Sequence, residues 1–150
     1  MSTVFTQIIN REIPAHIIAE NDEFIAFLDH KPIVIGHALV IPKREVDYIF
    51  DMEGDEYGRM FEFTKKVAAA LQAVTKTKRV GIAASGFEVP HVHIHLCPIN
   101  VTSEMAATNP PLPLTKQEMT DIANQVREAY VHIIGNTSIR STTEHETLRA

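Results

Sequence analysis

Apolar positions along this chain follow two rhythms, one of period two and one near 3.6, and the changes of rhythm mark its elements. Residues 3–10 place Phe5, Ile8 and Ile9 at helical spacing before Ile13-Pro14 breaks the turn. Two apolar runs, His16 to Glu20 and Phe24 to Asp29, flank Asn21-Asp22-Glu23 and predict a hairpin. A loop at 31–36, punctuated by Pro32 and Gly36, leads into a strand from His37 to Ile41, ended by Pro42. Next, Asp51 is placed to cap a helix whose stripe is Tyr57, Met60, Phe61, Thr64, Val67, Ala68, Leu71 and Val74, with Lys76 and Lys78 at its C-terminal end. A strand over Arg79 to Ser85, a tight link at Gly86 and a strand over 91–98 follow. Residues 100–114, with Pro110, Pro111 and Pro113, predict an irregular crossing. Thr115 and Glu118 have the spacing of a capping box at the head of a second helix. Its stripe runs from Met119 through Ile122, Ala123, Val126, Ala129 and Tyr130 to Ile133, and Gly135 is expected to end it. Residues 136–150 lack periodicity, so the expectation is one domain over 1–134 (core 4–100, C-terminal helix about 115–134) and a flexible tail over 135–150. The elements add up to an α+β fold: about five strands in a mainly antiparallel sheet, one long helix and a C-terminal helix.

The strand over 91–98 carries the chemistry. In His-Val-His-Ile-His-Leu-Cys-Pro, three imidazoles alternate with three apolar residues, so His91, His93 and His95 share one face and Val92, Ile94 and Leu96 the other. Positions two apart lie roughly 6.5–7 Å apart along a strand, a span that lets several imidazoles surround one small group such as a phosphate. Imidazole gives, takes or attacks near neutral pH, and phosphoryl-type transfer needs an activated nucleophile, charge stabilisation and leaving-group protonation. His37, opening its own strand, joins the row if the two strands pair. Alternating histidines also suit zinc, and at this point metal binding stays open.

Composition narrows the alternatives. The chain has 150 residues, 45% of them hydrophobic, which is enough for one domain with a real core. Its 14 Lys+Arg against 19 Asp+Glu, net −5, argue against a nucleic-acid or anionic-membrane surface. The apolar runs are too short to span a bilayer, and the N-terminus has no signal-peptide core, so a cytoplasmic location is expected. A single cysteine, Cys97, excludes a disulfide framework and a four-cysteine zinc site.

His91-Val92-His93-Ile94-His95-Leu96-Cys97 resembles the signature of the histidine triad (HIT) family of nucleotide hydrolases and transferases. The resemblance extends through Phe5-Thr6-Gln7-Ile8-Ile9, Glu12-Ile13-Pro14-Ala15, Ala26-Phe27-Leu28-Asp29 and Gly36-His37-Ala38-Leu39-Val40-Ile41-Pro42-Lys43, covering about residues 4–100, and is greatest with the Hint-like branch of small nucleoside phosphoramidases. It implies that His93 attacks the α-phosphorus of a purine nucleoside phosphoramidate or similar conjugate, giving a nucleotidyl-histidine that water cleaves. His91 and His37 would orient it and relay protons, and His95 would lie against the phosphate and leaving group. Asp29 would accept hydrogen bonds from the ribose. Phe5, Ile8, Phe27, Leu28 and Leu39 would form the slot for the base, with Glu88 and Val89 also against the nucleotide. No cofactor is implied, although clustered histidines scavenge divalent metal. A homodimer with a continuous ten-stranded sheet is implied as well.

Two departures from the family pattern stand beside the histidines. Where Hint-like sequences carry Gly-Gln-Ser/Thr, this chain has Gly86-Phe87-Glu88-Val89-Pro90, which puts a carboxylate where a phosphate contact is usual. The Asn of the preceding loop has no counterpart in Ala83-Ala84-Ser85. These departures keep a non-catalytic nucleotide-binding module in play, and dinucleoside polyphosphate hydrolysis stands as a variant of the enzyme reading.

Overall fold

The computed structural model describes residues 3–147, with side chains described as far as Gly135. A short helix α1 (Val4–Ile9) precedes the hairpin β1 (Ile17–Glu20) and β2 (Phe24–Leu28), then come β3 (Ala38–Pro42) and a 3-10 turn at Ile49–Asp51. Helix α2 (Gly54–Thr75), β4 (Arg79–Ala83), β5 (Ile94–Ile99), a second 3-10 turn at Thr102–Met105 and helix α3 (Lys116–Thr147) complete the described chain. The strands form one five-stranded antiparallel sheet, as the sequence leads one to expect, and their order is β1-β2-β3-β5-β4. Among the described residues no helix is long and apolar enough to cross a membrane.

Every residue of β2 and β3 is buried, because both faces of the sheet centre are covered. Phe24, Ala26, Leu28, Ala38, Val40, Val92, Ile94 and Leu96 turn toward α2 and α3, against Met60, Val67, Leu71, Ala123 and Val126. Ile25, Phe27, Leu39 and Ile41 turn the other way, against Phe5 and Ile8 of α1. Full burial of each large aliphatic side chain contributes roughly 1.5–3 kcal/mol. The histidines therefore lie on a plate clamped from behind by two helices.

Several boundaries differ from the sequence expectation. Asp51 closes the 3-10 turn at Ile49–Asp51 rather than capping α2, whose N-cap is Glu53. Lys76 is the C-cap of α2 itself, left-handed at φ 57°, with its N–H on Gln72 O. Phe63 and Ala70 join the buried stripe of α2. The Thr115–Glu118 capping box forms in both directions, at 3.0 and 3.1 Å. Gly135 does not end α3, which continues to Thr147. A glycine inside a helix costs only about 0.5–1 kcal/mol, less than a run of flanking helical hydrogen bonds can offset.

Candidate functional site

β5 pairing begins only at Ile94, so His91 and His93 precede the regular strand. The bend places the two rings by separate anchors. His91 N–H reaches Val89 O at 2.8 Å, and Val92 N–H reaches Val46 O at 2.7 Å, which ties the segment to the chain just after β3. The apolar face of the row is as the alternation predicts, since Val92, Ile94 and Leu96 are all in the helix-side core.

Hydrogen bonding settles the tautomers. A carbonyl only accepts, so the His93 Nδ1 that lies 2.8 Å from His91 O must carry hydrogen, and in the neutral ring the Nε2 lone pair is free. The ring of His91 is fully buried and occupied at both nitrogens: Nε2–H donates to Pro42 O at 2.7 Å, and Nδ1 accepts from the Thr3 hydroxyl at 2.8 Å. This corrects one sequence expectation. With neither nitrogen open, the side chain of His91 is not placed to relay protons; its carbonyl is what touches His93.

His37 and His95 form a second wired pair. Ile33 N–H donates to His37 Nδ1 at 3.2 Å, which leaves hydrogen on His37 Nε2. That N–H donates to His95 Nδ1 at 2.9 Å, so the neutral ring of His95 presents Nε2–H to the site. The antiparallel pairing of Leu39 with His95 brings the two histidines together. Asp29 Oδ2 stands 3.6 Å from His37 Nε2, while its Oδ1 accepts Lys31 N–H. Burial is the main cause holding His37, His91 and His95 below the ordinary imidazole value. For His37 the Asp29 carboxylate opposes that lowering, and for His95 the neighbouring His93 adds to it.

Phe5 joins the apolar patch to the histidines, its ring centroid 5.7 Å from Phe27 and 5.1 Å from His93. Phe5, Ile8, Phe27 and Leu39 share one cluster, with Val89 packed against it. Leu28 does not belong there. It follows Phe27 in an extended strand, so its side chain points to the opposite face and lies in the helix-side core. Glu88 is largely exposed, yet its Oε2 comes within 3.5 Å of His93 Nε2.

Sequence reasoning missed Thr3 and Glu45. Thr3 caps α1 by accepting Thr6 N–H while it holds His91, and Glu45 accepts both Thr3 N–H and the Thr6 hydroxyl. The threonine just ahead of the 4–9 helical pattern is an N-cap signal; nothing in sequence pointed to Glu45. Also missed was a cavity of about 320 Å³ next to His93, lined in part by Asp47, Tyr48, Ile49, Phe87 and Val92. Two triplets bring ligand-type atoms close enough to hold a cation: Asp29 with His37 and His95, and Glu88 with His93 and His95.

A family model described as the HIT domain matches residues 10–102. An uncharacterised HIT-like protein of Borreliella burgdorferi is 35% identical over 102 residues, 63% of this chain and 73% of that protein. An adenosine 5′-monophosphoramidase of Schizosaccharomyces pombe is 30% identical over 129 residues, 84% of this chain and 96% of the relative. A zinc-bound histidine triad family protein of Mycobacterium smegmatis has the same fold, with a TM-score of 0.76 at 24% identity over 90% of this chain and 97% of that one.

Proposed function

The chain belongs to the HIT domain family, and on that premise we propose that it is a hydrolase or nucleotidyl transferase acting on purine nucleoside 5′-phosphoramidates and similar nucleotide conjugates through a nucleotidyl-His93 intermediate. One observation carries this reading. The hydrogen bond from His93 Nδ1–H to His91 O leaves a nucleophilic lone pair at Nε2, beside an open cavity. The name of the fission-yeast relative adds support, since it is called an adenosine 5′-monophosphoramidase.

His93 Nε2 attacks the α-phosphorus, and the positive charge that develops on the ring is stabilised at Nδ1–H by the carbonyl of His91. His95 Nε2–H donates a hydrogen bond to a phosphoryl oxygen, oriented by His37, whose own ring is fixed by Ile33 N–H. Asp29, with one oxygen engaged by the backbone, takes the ribose hydroxyls with its remaining acceptor capacity. Phe5, Ile8, Phe27, Leu39 and Val89 offer the base an apolar surface. No step in this scheme calls for a metal, and the protein acts as a homodimer joined through a sheet edge.

The test is turnover of an AMP–amine conjugate by wild type and His93→Ala, with mass spectrometry of protein quenched in denaturant at alkaline pH, where a phosphorus–imidazole bond survives. Wild type is expected to show an AMP adduct on His93 and to keep its rate in chelator. His93→Ala is expected to lose at least about 10³-fold in kcat, the scale for removing a nucleophile. Retained turnover in the variant, or an adduct elsewhere, would overturn the reading.

A further inference from the structure

On the face of the sheet away from α2 and α3, the site is closed by one short element, α1. It is six residues long, and a helix of that length does not persist in water without docking. Phe5 and Ile8 pack on the sheet face that carries Phe27 and Leu39, and the Phe5 ring stands edge-on to both His91 and His93. α1 is therefore one wall of the slot assigned to the base, and the slot exists only while α1 is held down. At its C-terminal end Arg11 donates to Glu20 Oε2 at 2.7 Å. At the end beside the histidines the tie is Glu45.

Glu45 is exposed and lies just beyond β3. Two hydrogen bonds end on the same one of its oxygens: Oε1 accepts Thr3 N–H at 2.9 Å and the Thr6 hydroxyl at 2.7 Å. The two threonines carry the tie inward. Thr6 N–H donates to Thr3 Oγ1 at 3.1 Å, the Thr3 hydroxyl donates to His91 Nδ1 at 2.8 Å, and His91 Nε2–H ends the chain on Pro42 O. These bonds favour the ionised carboxylate, and they hold Glu45, by the Thr6 hydroxyl first, below the usual carboxylate range. The next residue, Val46, accepts Val92 N–H with its carbonyl. Two adjacent residues thus fix the two halves of the site separately, Glu45 the wall and Val46 the histidine row.

We propose, resting on the nucleotide reading above, that Glu45 is a positioning residue for nucleotide binding: through Thr3 and Thr6 it keeps α1 shut over the slot without touching the substrate. Its removal acts on affinity more than on bond breaking, because Val46 and the carbonyl of His91 hold His93 in place without it. A nucleotide then has to close α1 itself, and its apparent affinity falls in proportion to the fraction of molecules whose wall is already shut. A glutamine amide oxygen in the position of Oε1 accepts the same two hydrogens, so the site draws on the geometry of residue 45 and not on its charge.

The experiment compares Glu45→Ala, Glu45→Gln and Thr6→Val with wild type in affinity for AMP and GMP, in KM and kcat for the AMP–amine conjugate, and in hydrogen exchange over residues 4–9. Glu45→Ala should raise Kd and KM at least about fivefold, the scale of one ordinary hydrogen bond, and leave kcat within about twofold. Exchange over residues 4–9 should quicken in this variant and slow again with saturating nucleotide. Thr6→Val should act in the same direction, and adding it to Glu45→Ala should change little, because its hydroxyl bonds to the carboxylate already removed. Glu45→Gln should stay within about twofold of wild type. The role is overturned if Glu45→Ala leaves Kd within about twofold, if kcat falls as far as KM rises, or if Glu45→Gln loses as much as Glu45→Ala. Missing turnover or a missing His93 adduct in wild type would remove the His93 reading alone, since nucleotide affinity and exchange still decide the role of Glu45. A wild type that binds neither AMP nor GMP would overturn both.

Discussion

At the scale of single residues, burial moves three of the site histidines in one direction. His37, His91 and His95 are each held below the ordinary imidazole value chiefly by desolvation, and His16 shifts the same way for the same leading cause. A lowered folded-state pKa means that the unfolded chain takes up protons first as pH falls. Their contribution to stability is therefore complete above about 6.5 and is lost as pH drops through the lowered folded values. Glu20, Glu45 and Glu118 are lowered from ordinary carboxylate values, so their losses come at more acid pH. Urea unfolding from pH 8 to 5 is expected to give a plateau at the alkaline end and a decline that begins near 6.5. A stability that stays level down to pH 5 would contradict the assignment. The alternation in sequence identified which rings lie together, but not that His91 is locked at both nitrogens. That depends on Thr3 and Pro42, 88 and 49 residues away along the chain, and no local pattern encodes such a contact.

Elements decide where those residues stand, and Gly36 shows how narrowly. It sits at φ +82° immediately before His37, where an added Cβ would come within 3.2 Å of both Pro98 Cγ and Thr75 Cγ2. A left-handed residue with a side chain costs roughly 1–2 kcal/mol, and the contacts with β5 and α2 add to that. Gly36→Ala is expected to lower stability by about 2 kcal/mol or more and to reduce kcat, because β3 enters the sheet with His37 displaced from His95. Chemical denaturation alongside turnover checks this; an unchanged kcat would mean that the turn does not set His37. The turn was legible in sequence from Pro32 and Gly36, as were the hairpin and the capping box at Thr115. Leu28 was not, because a strand buried on both faces reads as one apolar run and hides which face each residue takes. At the start of β5 the alternation itself put His91 and His93 inside a strand whose pairing begins only at Ile94.

For the molecule as a whole, the two sheet edges are unequal. β1 at one edge is bridged by α3, where Arg127 donates to Ile17 O at 2.6 Å and also to Asn124. β4 at the other edge is covered less: Arg79, Ile82 and Ala83 are exposed, and Ile82 keeps 54% of its surface in solvent. An uncovered edge strand carrying an exposed isoleucine invites another strand, and proteins that remain single usually guard such an edge with charge, proline or a bulge. β4 has Arg79 at its first position and no further charge along Val80-Gly81-Ile82-Ala83. A second copy placed antiparallel across it would extend the sheet to ten strands and bury Ile82 against its own copy, which is the homodimer proposed above. Light scattering is then expected to report about twice the 16.8 kDa chain mass, and Ile82→Asp, which sets two carboxylates face to face across the twofold, should return the protein to a monomer. A wild-type mass of one chain would refute the dimer, and an Ile82→Asp variant that stays dimeric would move the interface away from β4.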